Sequence, residues 1–252
     1  MTIQYCSDLH LEFPQNAKFL NKHPLVPTGD ILILGGDIVP FALLNEHETF
    51  FNYVADNFEQ TYWLPGNHEH YYFDVNINSG AIKESIRTNV FLVNNQVVNI
   101  KDTDLIFSTL WSDIPVVNFI DVQMRLADFA CIRNGDKRFV PQNYNELHQH
   151  DIKFIAGALD KSIASKKMVI THHAPTFLNY PPKYKKDILN CAFATEYYDL
   201  IEKSGTDYWQ YGHHHVNTPA FTIGKTTLIT NQLGYVKFAE NKKFKKDATI
   251  EI

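Results

Sequence analysis

Five short apolar stretches of this chain each run directly into a polar cluster, and that repetition limits the fold more than any other feature. "TIQYC" leads into Ser7-Asp8-Leu9-His10, and "DILIL" leads into Gly35-Gly36-Asp37. "TYWL" stops at Pro65-Gly66 and is followed by Asn67-His68-Glu69-His70. "KKMVI" meets Thr171-His172-His173-Ala174-Pro175, and "TDYWQYG" meets His213-His214-His215. Short apolar runs closed by Gly, Pro, Asn or Asp read as strands with turns after them. In layered α/β sheets, ligands sit beyond the carboxyl ends of the strands. All five clusters are therefore expected on one edge of the molecule.

Helical periodicity fills the intervals, over Leu43 to Phe58, roughly Tyr144 to Ala164, and Ala194 to Glu202. Strand, helix, strand is the pattern of a sheet covered by helices. Val90 to Leu110 differs, with β-rich segments around the polar turn Lys101-Asp102-Thr103-Asp104, and reads as hairpin strands. "PAFTIGKTTLITNQLGY" reads the same way, with its turn at Gly224-Lys225. Two sheets with helices outside are the natural assembly. Without repeats or a Gly/Ser linker, residues 1–252 are expected to form a single domain.

Each cluster alone is ordinary loop chemistry. Together, Asp8, His10, Asp37, Asn67, His173, His213 and His215 form one set of oxygen and imidazole donors without a thiolate. Such a set suits manganese, iron or zinc. It is too large for one four-coordinate ion and about right for two ions sharing a carboxylate. Cys6, Cys131 and Cys191 are odd in number and widely spaced, against a disulfide framework and consistent with reduced thiols in a cytoplasmic protein. A net charge of −5 disfavours general nucleic-acid or membrane-surface binding. No run approaches the roughly 20 apolar residues needed to span a bilayer, and the first ten residues do not resemble a signal peptide.

In order, "SDLH", "GGD", "GNHE", "HAP" and "GHHH" resemble the sequence blocks of the calcineurin-like metallophosphoesterases. "TNQLGY" resembles the segment that often closes those domains. The resemblance implies a four-layer αββα sandwich of two mixed sheets flanked by helices, with a dinuclear metal site on its edge. It implies that Asp8, His10 and His215 hold one divalent ion, that Asn67, His173 and His213 hold the other, and that Asp37 bridges them. Manganese is the first expectation for both ions, with iron or zinc as alternatives. The block pattern selects His173 over His172, and strand alternation separates His213 and His215 from His214.

By the same resemblance His68 is the catalytic histidine, which stabilises phosphoryl oxygens or protonates the leaving group. Glu69 is expected to orient it, and His70 to be an ordinary loop residue. The implied reaction is hydrolysis of a phosphomonoester or phosphodiester by direct attack of a metal-activated hydroxide. The substrate would be a nucleotide, another small molecule or a phosphoprotein. Segments 112–142 and 176–190 are the expected substrate-side loops. In them Arg125 and Arg133 could grip a phosphate, and Tyr180 and Tyr184 could stack on a ring. "GNHE" departs from the lipid-A precursor pyrophosphatases, which usually carry Arg at the position of His68. The alternative is a non-catalytic scaffold that uses the fold for protein binding, as the retromer subunit resembling these enzymes does. The oligomeric state is not legible in these residues.

Overall fold

The computed structural model describes residues 1–252 and contains two six-stranded mixed sheets. In the first, β1 (Thr2–Cys6), β2 (Ile31–Gly35), β3 (Gln60–Leu64) and β5 (Val90–Asn94) run parallel. Antiparallel β4 (Ile82–Arg87) and β14 (Thr249–Glu251) close its edges, giving the order β14-β1-β2-β3-β5-β4. The second sheet repeats the plan with β7 (Thr103–Ser108), β10 (Lys166–Thr171), β11 (Tyr208–Gln210) and β13 (Thr226–Ile229) in parallel. Its antiparallel edges are β6 (Gln96–Ile100) and β12 (Phe221–Ile223), in the order β12-β13-β11-β10-β7-β6.

Side-chain alternation explains the layers. Ile31 and Ile33 of β2 pack with Leu105, Phe107, Met168 and Ile170, which belong to the other sheet. Leu32 and Leu34 point the opposite way, into a core with Leu20 of α1 (Pro14–Lys22) and Phe51 and Val54 of α2 (Glu48–Asn57). On the far side, Ile106, Val169 and Trp209 pack with Ile155 and Leu159 of α5 (Pro141–Lys161) and Ile201 of α6 (Tyr198–Ser204). The result is the expected αββα sandwich. None of its helices is long and apolar enough to cross a membrane.

Several local expectations change. The stretch predicted as one helix from Leu43 starts as a 3-10 segment, Phe41–His47, and becomes α-helical only at Glu48. Pro141 opens α5 three residues before the predicted start, as proline suits a first helical turn. The α6 helix is shorter than predicted and ends at Gly205, whose φ is 64°. Lys101 and Asp102 do form the turn between β6 and β7, but β5 is no part of that hairpin. It lies in the other sheet, and Asn95 alone carries the chain across. Segment 112–142 is more than a loop. It holds α3 (Phe119–Arg125), α4 (Asp128–Cys131) and the ribbon of β8 (Arg133–Asn134) and β9 (Lys137–Arg138). A separate small core of Trp111, Ile114, Val122, Ile132, Phe139 and Tyr144 supports it.

Candidate metal centre and catalytic site

Parallel strands from both sheets deliver their polar ends to the same place. Asp8 follows β1, Asp37 follows β2, Asn67 and His68 follow β3, His172 follows β10, and His213 to His215 follow β11. The loops lock to one another through their backbones. Asp8 N donates to Gly36 O at 2.9 Å, His10 N to Asp37 O at 2.9 Å, and Gly212 N to His172 O at 2.8 Å. Five of the candidate ligands, Asp8, His10, Asp37, His213 and His215, have φ between 48° and 73°. Left-handed backbone in non-glycine residues is sparse and costs free energy, so the surrounding hydrogen bonds must hold it. Gly66 is required by close approach, because a Cβ there would overlap Asp37 Oδ1 and the His172 ring.

The donors fall into two groups joined by Asp37. Ligand atoms of Asp8, His10, Asp37 and His215 lie within 4.8 Å of one another, as do those of Asp37, His172 and His213. In the first group the Nε2 atoms of His10 and His215 face each other at 3.0 Å. Their Nδ1 atoms are occupied, by Glu12 Oε1 at 3.0 Å and Glu240 Oε2 at 2.8 Å. In the second group His172 Nε2 is 3.3 Å from Asp37 Oδ1, too poorly aligned for a hydrogen bond. His172 Nε2, His213 Nε2 and Asn67 Oδ1 are all buried without a hydrogen-bond partner. Buried polar atoms are rarely left so. Three together, all of ligand type, fit a cation.

The charges agree with that reading. Burial depresses His172, but the charge and proximity of Asp37, with Asp8 behind it, hold it at about 10. Burial also depresses His215, and the hydrogen bonds of Asp8 and Glu240 raise it to about 9. The carboxylates thus create a field that attracts positive charge. Burial, reinforced by His173 and His172, keeps His213 well below its ordinary value, so it is a neutral ligand-type imidazole.

Residues 1–217 match the family model described as calcineurin-like phosphoesterase. The chain belongs to that family. Calcineurin-like phosphoesterases are metal-dependent, and the two donor groups lie where strand ends of both sheets meet. An uncharacterized protein of Acanthamoeba polyphaga mimivirus is 28% identical over 276 residues, covering 99% of this chain and 96% of that protein. Among solved structures, a phosphopantetheinyl hydrolase from Mycobacterium tuberculosis superposes with a TM-score of 0.74 at 15% identity. That alignment covers 99% of this chain and 95% of the other, and it shows a shared fold.

Within this calcineurin-like site, four expectations need correction. The imidazole beside Asp37 is that of His172, whereas His173 shares a 2.8 Å hydrogen bond with Tyr144 Oη and packs on Trp111. Alternation along β10 explains the exchange. Met168 and Ile170 face the other sheet, and His172 continues their row; Val169 and His173 face α5. Glu69 does not orient His68. Its carboxylate accepts N–H groups from Asp37 (2.9 Å), Ile38 (2.7 Å), Gly66 (2.6 Å) and the Trp63 indole (3.0 Å), tying the ends of β2 and β3 together. Glu12 takes the predicted role instead, with Oε1 2.9 Å from His68 Nδ1. His70 is no loop residue, being buried between Phe41 and Trp111.

The fourth correction concerns substrate contacts. Tyr180 and Tyr184 line the cavity above the site, but Arg125 and Arg133 do not. Arg125 pairs with Asp187 at 3.1 Å, and Arg133 donates to Tyr72 O at 2.7 Å. His214 is wedged edge-on between Tyr180 and Tyr211. Three supporting residues escaped the sequence reading. Glu12 was visible in principle, two residues beyond His10. Asp128, which opens α4 and accepts from Asn67 Nδ2 at 2.8 Å, and Glu240 lie far from the blocks in sequence and carry no spacing signal.

Proposed function

We propose that the protein is a dinuclear-metal-dependent phosphoesterase that hydrolyses a phosphomonoester or phosphodiester. The observation that carries this reading is the pair of donor groups sharing Asp37, with three buried ligand atoms otherwise unpartnered. Asp8, His10 and His215 would hold one ion, Asn67, His172 and His213 the other, and Asp37 would serve both. When bound, divalent ions of the manganese, iron or zinc type supply Lewis-acid charge and make water a better nucleophile near neutral pH. The side chains supply the rest. Glu12 holds His68 by Nδ1, which leaves Nε2 facing the cavity, 3.4 Å from Tyr235 Oη. Tyr71 stacks on the other face of the ring at 4.0 Å between centroids. His68 is thereby fixed to give a proton to the departing oxygen or a hydrogen bond to the phosphoryl group. Burial depresses His68, but Asp37 and Glu12 outweigh it and raise its affinity for that proton. A scaffold that only bound other proteins would have no need of the Glu12–His68 pair.

The test is hydrolysis of chromogenic phosphate monoesters and diesters by purified protein, without metal and with manganese, iron or zinc. Metal-dependent turnover is expected, and His68→Ala should lower it about 100-fold or more while retaining both ions. Full turnover in His68→Ala would remove the residue from the chemistry. No turnover with any of the three metals, in folded protein carrying two ions, would favour the scaffold.

A further inference from the structure

The cavity above the metal centre encloses about 300 Å³, near the lower end of the roughly 300–1,000 Å³ typical of ligand pockets. Away from the candidate ligands its wall is formed by Leu126, Ala127, Tyr180, Tyr184, Leu189 and Phe193. The wall contains no lysine or arginine, and its remaining charged groups are Asp128, Asp187 and Glu240. The nearby cations are already engaged at the wall itself. Arg125 is held by Asp187, and the Lys183 ammonium lies 4.4 Å from the centre of the Tyr184 ring. A second groove, of about 240 Å³ and flanked by Phe13, Phe238 and Lys237, shares Tyr235 with the cavity. Tyr235, whose Oη is 3.4 Å from His68 Nε2, thus stands between two lobes, the second of which also carries Gln15, Asn16 and Lys237.

We infer that the substrate is a phosphodiester whose cavity-side substituent is uncharged and apolar or aromatic, an inference that rests on the phosphoesterase reading above. Two lobes accommodate the two substituents of a diester, whereas a monoester would leave one lobe unused. A second anionic group in the cavity would face Asp128, Asp187 and Glu240. The reaction forms one P–O bond to the oxygen of water and breaks the P–O bond to the leaving alcohol. The alcohol departs with a proton, a monoester remains, and no redox partner is needed.

The experiment compares three esters on the manganese-loaded full chain: phenyl p-nitrophenyl phosphate, its 4-carboxyphenyl counterpart and p-nitrophenyl phosphate. The first should exceed each of the others at least tenfold in kcat/KM. Calorimetry with phenyl phenylphosphonate and its 4-carboxyphenyl analogue, which report binding without turnover, should show the same preference for the uncharged ring. Asp187→Asn, which keeps the acceptor for Leu189 N, should shrink the carboxylate penalty about threefold in both assays. Equal or better turnover of the carboxylate diester or of the monoester would overturn the inference and leave the phosphoesterase reading standing. No turnover of any ester would bring down both.

Discussion

The two halves of the candidate metal centre are built differently. In the half made by Asp8, His10 and His215, each imidazole is backed by a buried or half-buried carboxylate, Glu12 or Glu240. In the half made by Asn67, His172 and His213, the backing is weaker in charge. His172 Nδ1 faces the carbonyl of Gly35 at 3.0 Å, the His213 ring stacks on Phe193, and only Asn67 has a carboxylate behind it. Carboxylates that accept a ligand's second N–H raise its basicity and fix its orientation. The first half should therefore hold its ion more tightly, and the second should exchange it more readily. Asp37 is the one residue to which both halves answer.

Asp37→Asn is expected to have the largest effect, because it removes the shared charge. Metal content should fall below one equivalent and turnover should drop by about three orders of magnitude or more, a scale set by the loss of both ions' catalytic charge. Two full equivalents in that variant would show that neither half depends on the shared carboxylate. Next comes the choice within the histidine pair. His172→Ala should lose one equivalent and about 100-fold in rate, while His173→Ala should keep both ions and mainly lose stability. The opposite pattern in metal analysis would move the second half onto His173.

Glu12→Gln and Glu240→Gln probe the asymmetry itself. Each should weaken the tighter site by roughly 10- to 100-fold and leave the other ion's affinity within a few-fold. Equal weakening of both sites in a metal titration would erase the distinction between the halves. Glu12→Gln should also slow turnover at saturating metal, since the same oxygen holds His68.

The smallest effect lies outside both halves. Asp151 on α5 accepts Trp111 N at 3.2 Å and Asn95 Nδ2 at 2.8 Å, and burial pushes its carboxyl up to about 6. The fold thus favours the protonated form, so this contribution is complete below the ordinary carboxyl range and disappears as pH rises through about 6. Relative to the parent, Asp151→Asn should be more stable at pH 8 than at pH 5 by on the order of 1 kcal/mol, with unchanged metal content. The same stability difference at both pH values would show that Asp151 titrates normally and place no charge penalty there.

What could be read from the residues follows the strength of burial. The central strands β1, β2, β3 and β10 are mostly buried, and their ends name the clusters that converge at the site. The edge strand β4 buries only Ile82 and β14 buries none of its residues, so neither has a periodic signal to find. The helix α1 is short and buries only Asn16 and Leu20. His172 and His173 are adjacent, and a block pattern cannot say which faces inward; the parity of Met168 and Ile170 can, once the sheet is known. Arg125 and Arg133 were attractive for their charge alone, but whether an arginine meets a ligand or a neighbouring carboxylate depends on tertiary contacts such as that with Asp187.

The left-handed backbone at Asp8, His10, Asp37, His213 and His215 also bears on how such a chain can evolve. Each position costs on the order of 1 kcal/mol that glycine would not incur, a meaningful share of a margin of about 5–15 kcal/mol. Selection for the site must therefore act against a standing pull toward glycine at these five positions. A descendant released from that selection would shed this strain by yielding to it, while giving up contacts such as the His68 N–H that Asp37 Oδ1 accepts. Glycine at several of these positions in a lineage would then mark a loss of metal binding before any other part of the fold had changed.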